Sequence, residues 1–197
     1  MDLLIYSQQK SARLNYIFDH IFQRILGLDI EITCDVDLFT SCTSPKINYS
    51  KQAFSDELFF YSSDILFEQG VLKQNLKFSI HNKVPICFLC NNGVLPFDPF
   101  AASFYMLTRY EEYTNVQKDK LGRFLVDDSI AFKHKFIQIP VVDHWILFIK
   151  NILLKKFPNL VFKKYAFCFI NTIDVDNAYA YLSKGFFRTL GAICMDL

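Results

Sequence analysis

Hydrophobic positions along the first 35 residues change rhythm twice. Leu3–Tyr6 is a short apolar run; then Leu14, Ile17, Phe18, Ile21, Phe22, Ile25 and Leu26 recur at i, i+3, i+4 and i+7, the stripe of an amphipathic helix. Arg13, Asn15, Asp19, Gln23 and Arg24 fill the opposite face. Ser11 stands where an N-cap is wanted and Gly27 where a helix should stop. Beyond it, Ile30, Ile32 and Cys34 alternate with Glu31, Thr33 and Asp35, which predicts a half-buried strand. Strand, helix and strand in succession predict that Leu3–Tyr6 and Ile30–Cys34 are parallel neighbours in an α/β layered domain.

The middle of the chain reads as β-rich. Lys46–Tyr49, Glu57–Tyr61, Leu76–Ile80 and Pro85–Leu89 are strand candidates, and Ser63–Gln69 a short helix. Asp98-Pro99 reads as an N-cap followed by proline at the first helical position, opening a second helix to about Tyr113. Polar Thr114–Asp128 predicts a loop. A third helix runs from Val141 to about Phe157, with Val142, Trp145, Ile146, Ile149, Ile152 and Leu153 inward and Lys155 and Lys156 suiting the dipole at its end. Three helices on a mixed sheet, centred near Phe18, Phe104 and Ile149, make a first domain over residues 1–160. Phe157-Pro158-Asn159 marks the boundary. In residues 161–197, Ala166–Ile173 reads as a buried strand, Asp174–Asn177 as the turn at its end and Gly185–Leu197 as the start of a helix.

Composition narrows the function classes. Lys+Arg 21 against Asp+Glu 20 leaves a net charge of +1, so no global field draws the chain to nucleic acid. No uncharged stretch reaches the roughly 20 apolar residues of a membrane span, and Asp2 stands where a secretory leader would be positive; a cytoplasmic protein is expected. The 22 Phe and 10 Tyr fall mainly on core periodicity. The six cysteines sit mostly in apolar runs and predict free thiols, at least four of them buried. Cys87-Phe88-Leu89-Cys90 has the C-x-x-C spacing without a second pair or a helix start, a poor redox or zinc signal.

The sharpest chemical feature is Thr172-Ile173-Asp174-Val175-Asp176-Asn177. Side chains two apart on a strand share a side, so two carboxylates would project together. Such a pair binds a hard cation, acts as a general base, or simply turns the chain in solvent. Arg109-Tyr110-Glu111-Glu112-Tyr113, at the end of the second helix, forms a polar and aromatic cluster able to bind a glycan through Arg109, Tyr110 and Glu111, or to be a solvated last turn.

FINTIDVDNAYAY resembles the first motif of polysaccharide deacetylases of the carbohydrate esterase 4 type, in its D-V-D variant. Pro45-Lys46-Ile47-Asn48-Tyr49, Leu66-Phe67-Glu68-Gln69-Gly70, Leu95 to Tyr105, Arg109 to Tyr113, Gly122-Arg123-Phe124 and Pro140 to Trp145 resemble the domain of unknown function that precedes such deacetylases in Bacteroidetes-type bacteria. The resemblance implies a (β/α) barrel whose first strand ends in the acids. Asp174 is then the general base and Asp176 a ligand of a divalent metal, zinc or similar, in the full-length parent, a hydrolase acting on an N-acetylated glycan or its precursor.

One departure bears on activity. His20, His81, His134 and His144 make no H-x-x-x-H, and none follows the acid pair. The remaining barrel strands, roughly 200 residues by the usual barrel size, are also missing. The expectation is therefore an accessory N-terminal domain plus the first β/α unit of a truncated barrel, binding divalent metal weakly or not at all and inactive alone. The alternative is a non-catalytic α/β domain that binds a glycan, a nucleotide-sugar or a partner protein. A flavodoxin-like phosphate cradle is disfavoured, because Ser7-Gln8-Gln9-Lys10-Ser11 has no glycine.

Overall fold

In the computed structural model, which describes residues 1–114, 117–174, 185–188 and 191, the N-terminal apolar run becomes β1 (Leu3–Ser7), buried throughout. Ser11 caps α1 (Ala12–Phe18), its Oγ accepting from the Leu14 amide at 3.0 Å. The helix continues in the wider π winding over Asp19–Leu26 and keeps Ile21, Phe22 and Leu26 buried. It ends at Gly27, whose φ is +70° and where a Cβ would lie 2.6 Å from that of Lys163; both demands select glycine.

β2 (Ile30–Thr33), β3 (Lys46–Ser50) and β4 (Leu58–Tyr61) complete a four-stranded sheet of order β2-β1-β3-β4. All its pairs are parallel, with Leu3 opposite Ile30, Ile5 opposite Ile47 and Ile47 opposite Leu58. The expected mixed sheet is thus corrected to a purely parallel one plus a separate antiparallel hairpin, β5 (Ser79–His81) and β6 (Val84–Ile86). The turn explains the separation. Asn82 and Lys83 both have positive φ, 48° and 67°, the two-residue geometry whose twist matches the strands it joins, so β5 and β6 pair with each other.

The sheet is covered on both faces. On one, α2 (Val36–Ser41) carries Phe39 onto Leu4 and Tyr6. This helix is too short to show a periodic stripe, but its ends are fixed: Asp35 accepts from the Asp37 and Leu38 amides, and Lys46 Nζ donates to the carbonyls of Phe39, Thr40 and Cys42. The larger core lies on the other face, where α1 and its π extension pack with α3 (Pro99–Leu107) and α6 (Val141–Lys156). Trp145 is buried there and donates from Nε1 to the Pro85 carbonyl at 3.0 Å. The second helix is shorter than the apolar pattern predicts: it stops at Thr108, and the chain turns before α4 (Glu111–Thr114). α5 (Ile130–Lys133) precedes α6. No helix among the described residues is long and apolar enough to cross a membrane.

The chain divides into two units, Met1–Lys163 and Lys164–Leu197. In the second, the expected buried strand Ala166–Ile173 is not found: these residues are extended by no pairing and are exposed, Phe167 at 94%. A strand needs a neighbour for its backbone groups, and the described residues of this unit contain none. Residues 186–188 make a helical turn; most of the predicted Gly185–Leu197 helix and the Val175–Asn177 part of the turn lie outside the described residues. The cysteine expectation also needs correction. The five described cysteines are free, but only Cys87 is buried: Cys34 follows an edge strand, Cys42 ends α2, Cys90 lies in an irregular turn and Cys168 in the exposed segment.

Candidate functional site

α3 is pinned at its start by a buried carboxylate. Asp98 is fully enclosed and accepts four hydrogen bonds: from Tyr49 Oη at 2.8 Å, the Ser63 amide at 2.6 Å, and the Phe100 and Ala101 amides at 3.0 Å each. Burial pushes its carboxyl up to about 6, the hydrogen bonds offsetting part of that rise. Tyr49 closes β3 and Ser63 follows β4, so the knot ties the helix N-terminus to the carboxyl ends of two strands. At β3 and β4 this end of the sheet, where α/β folds commonly receive ligands, is therefore filled by the helix.

The other end of α3 opens a pocket of about 330 Å³. Tyr105 and Met106 form its helical wall, Phe124, Val126 and Ile137 its opposite wall, and Arg109, Glu111 and Glu112 its polar rim. Arg109 is held at φ +51°, a conformation that costs a non-glycine residue about 1 kcal/mol or more. The turn there is set by the Arg109 amide donating to Met106 O at 3.1 Å and the Tyr110 amide to Tyr105 O at 3.0 Å. The strained backbone aims a largely exposed guanidinium along the rim, where it pairs with Glu112.

Of the three residues expected to bind a glycan, Arg109 and Glu111 line this pocket and Tyr110 does not. Glu111 Oε2 accepts from the Ile130 amide at 2.9 Å, fixing α5 against the rim. Tyr110 is 3% exposed; its hydroxyl accepts from the Leu72 amide at 2.9 Å and its ring packs on Tyr105 at 5.3 Å. Arg13 lies across the rings of Tyr110 and Phe104 and donates to the Ile65 and Gly70 carbonyls. This pair supports the pocket wall from behind.

Lys118, Arg123 and Phe124 are not legible as ligand-facing, because Thr114–Asp128 reads only as a polar loop, whereas Glu112 stands within the Arg109–Tyr113 cluster. The available signal is Asp119-Lys120-Leu121-Gly122. Lys118 and Phe124 bridge as a small hairpin, and Asp119 accepts from the Leu121 and Arg123 amides at 2.8 and 2.9 Å and from Arg123 Nε at 2.7 Å. The Arg123 amide and side chain hold its carboxyl below the usual range. That turn sets Phe124 over the pocket.

The other candidates resolve differently. Burial pushes the Cys87 thiol up strongly and that of Cys90 to about 11, so neither is a ready thiolate for redox or metal chemistry. Asp174 is exposed, and Asp176 lies outside the described residues. Among the described residues no three His, Cys, Asp or Glu side chains come together to hold a metal ion.

A family model described as a family of unknown function, DUF7033, matches residues 3–158. No curated protein matches the chain, and no solved structure does.

Proposed function

The chain belongs to the DUF7033 family of unknown function, and from that premise we propose that its first unit is a non-catalytic domain that binds an N-acetylated glycan and accompanies a polysaccharide deacetylase-type module. The observation that carries the reading is the Arg109 pocket. A sugar offers alternating hydroxyls around apolar ring faces. Arg109 can donate to hydroxyls and Glu112 can accept from them, while Tyr105, Phe124 and Ile137 give the ring and an acetamido methyl apolar surface. A volume near 330 Å³ sits at the small end of ligand sites, the size of a single sugar unit.

The accompanying module is inferred from FINTIDVDNAYAY and from the resemblance of the segments between Pro45 and Trp145 to the domain that precedes such deacetylases. In that reading Asp174 is the general base and Asp176 a metal ligand, and a divalent metal such as zinc would supply Lewis acidity once further ligands complete the site. The 197-residue chain is expected to bind metal weakly. Calorimetric titration with zinc and with manganese checks this, and stoichiometric tight binding lost in Asp176→Ala would overturn it.

Arg109→Gly separates function from folding at the pocket. Glycine accepts φ +51° freely, and an exposed ion pair contributes little. The variant should therefore melt at the same temperature or a few degrees higher, about 1 kcal/mol being worth 2–4 °C at this chain length. Its affinity for N-acetylglucosamine and short chitin fragments should fall about tenfold or more. Unchanged affinity, or no binding of any N-acetylated sugar by the parent chain, would refute the glycan reading.

A further inference from the structure

We infer that the Arg109 pocket is the middle of a three-part groove that takes a linear N-acetylated oligosaccharide of at least three units, rather than a single sugar or a nucleotide-linked one. The inference rests on the glycan reading of that pocket and adds the length and charge of its ligand.

Two further depressions adjoin the pocket. One, of about 450 Å³, shares Arg109, Glu112 and Phe124 with it and adds Lys118, Gly122 and Arg123. The other, of about 500 Å³, shares Ile137 and adds Phe132, Lys133, Lys135 and Gln138. The first joins the pocket along Arg109, Glu112 and Phe124, the second along Ile137. A ligand seated in the middle therefore meets an open neighbour at each end, and a linear chain fills what one sugar leaves empty.

The chemistry of the two flanks suits an uncharged chain. Arg109 pairs with Glu112, Arg123 with Asp119 and Lys133 with Asp128, and Glu111 and Asp127 line the groove along with Lys118 and Lys135, so cations and carboxylates along it balance. The far flank offers Phe132 and Ile137, 46% and 60% exposed, as apolar platforms with Lys133, Lys135 and Gln138 beside them as hydrogen-bonding groups. Phosphates are commonly cradled by free backbone amides. The turn at Gly122 has none to give: the Leu121, Gly122 and Arg123 amides all donate to Asp119, whose carboxylate would also repel a phosphate.

The test is calorimetric titration of the full chain with the monomer, dimer, trimer and hexamer of β-1,4-linked N-acetylglucosamine, with UDP-N-acetylglucosamine and with a pool of random decapeptides. Affinity should rise about tenfold or more from monomer to trimer and then level off. Phe132→Ala should weaken the trimer several-fold and the monomer by much less; Phe132 is half exposed, so the fold tolerates its loss, and circular dichroism verifies that. Equal affinity for monomer and trimer would leave the glycan reading standing and overturn the groove. Tighter binding of the nucleotide sugar or of the peptides than of the trimer would overturn the inference, and failure of every sugar would remove the reading beneath it.

Discussion

Asp98→Ala is expected to abolish the stable fold of the first unit. The carboxylate takes four donors in a site closed to water, and each donor orphaned by the substitution costs about 1–3 kcal/mol. Two of these donors, the Phe100 and Ala101 amides, make the N-cap bonds of α3. The sum reaches most or all of the 5–15 kcal/mol typical of a domain. Asp98→Asn keeps one acceptor and a good capping residue, so it should remain folded but clearly weakened. Guanidinium or thermal unfolding distinguishes the two, and an alanine variant within about 2 kcal/mol of the parent would contradict the knot.

The same residue gives stability a pH signature. Burial raises the Asp98 carboxyl to about 6 from an ordinary 3.8; the folded state therefore holds the proton more tightly, and this contribution is full below pH 3.8 and lost as pH rises through 6. Glu57 acts in the opposite sense. Partial burial pushes it up, but hydrogen bonds from Asn48 and from the Phe54 and Ser55 amides outweigh that and hold it at about 2. Its contribution is full above 4.5 and lost as pH falls toward 2. The melting temperature should thus peak between pH 3.8 and 4.5, and the decline from there to pH 6 should flatten in Asp98→Asn, where no carboxyl titrates.

What the sequence made legible follows from local rules. The stripe from Leu14 to Leu26, with Ser11 before and Gly27 after, carries its own start and stop, so the first helix lies where the pattern puts it; Asp98-Pro99 likewise announces α3. The alternation at Ile30–Cys34 makes β2 a parallel neighbour of β1. The rest depends on tertiary facts that no window contains. α2 is held by Lys46 reaching back to its carbonyls, and α3 stops where Tyr110 turns inward onto Tyr105 and Arg13. The Arg109 site is half legible for the same reason: Arg109 and Glu111 sit in one short run, but Phe124 reaches the pocket from a loop whose course depends on the Asp119 turn, and Ile137 from the connection between α5 and α6. Ala166–Ile173 reads as a strand from its apolar content, yet pairing is a property of two segments, and the pattern speaks for only one.

Phe100→Ala should be the most damaging core substitution that still leaves every hydrogen bond in place. Phe100 is fully buried, its ring centroid 4.9 Å from that of Phe18, 5.2 Å from Tyr49, 5.4 Å from Phe60 and 5.6 Å from Phe22. It thus joins α3 to α1, to the π segment and to both β3 and β4. Truncating a buried phenylalanine costs about 3–5 kcal/mol through lost transfer energy and the cavity left behind, and edge-to-face pairs push the value toward the upper end. With a urea dependence of about 1–3 kcal/mol per molar, the unfolding midpoint should drop by more than about 1 M. Phe100→Leu, which keeps most of the volume, should cost about 1.5 kcal/mol or less. The loss should also reach the pocket, because Phe100 fixes the helix that delivers Tyr105 and Arg109: at temperatures where Phe100→Ala is still folded, its glycan affinity should fall, whereas Phe100→Leu should bind as the parent does. A cost below about 1.5 kcal/mol for the alanine variant would mean that α3 is not seated on the sheet through this ring.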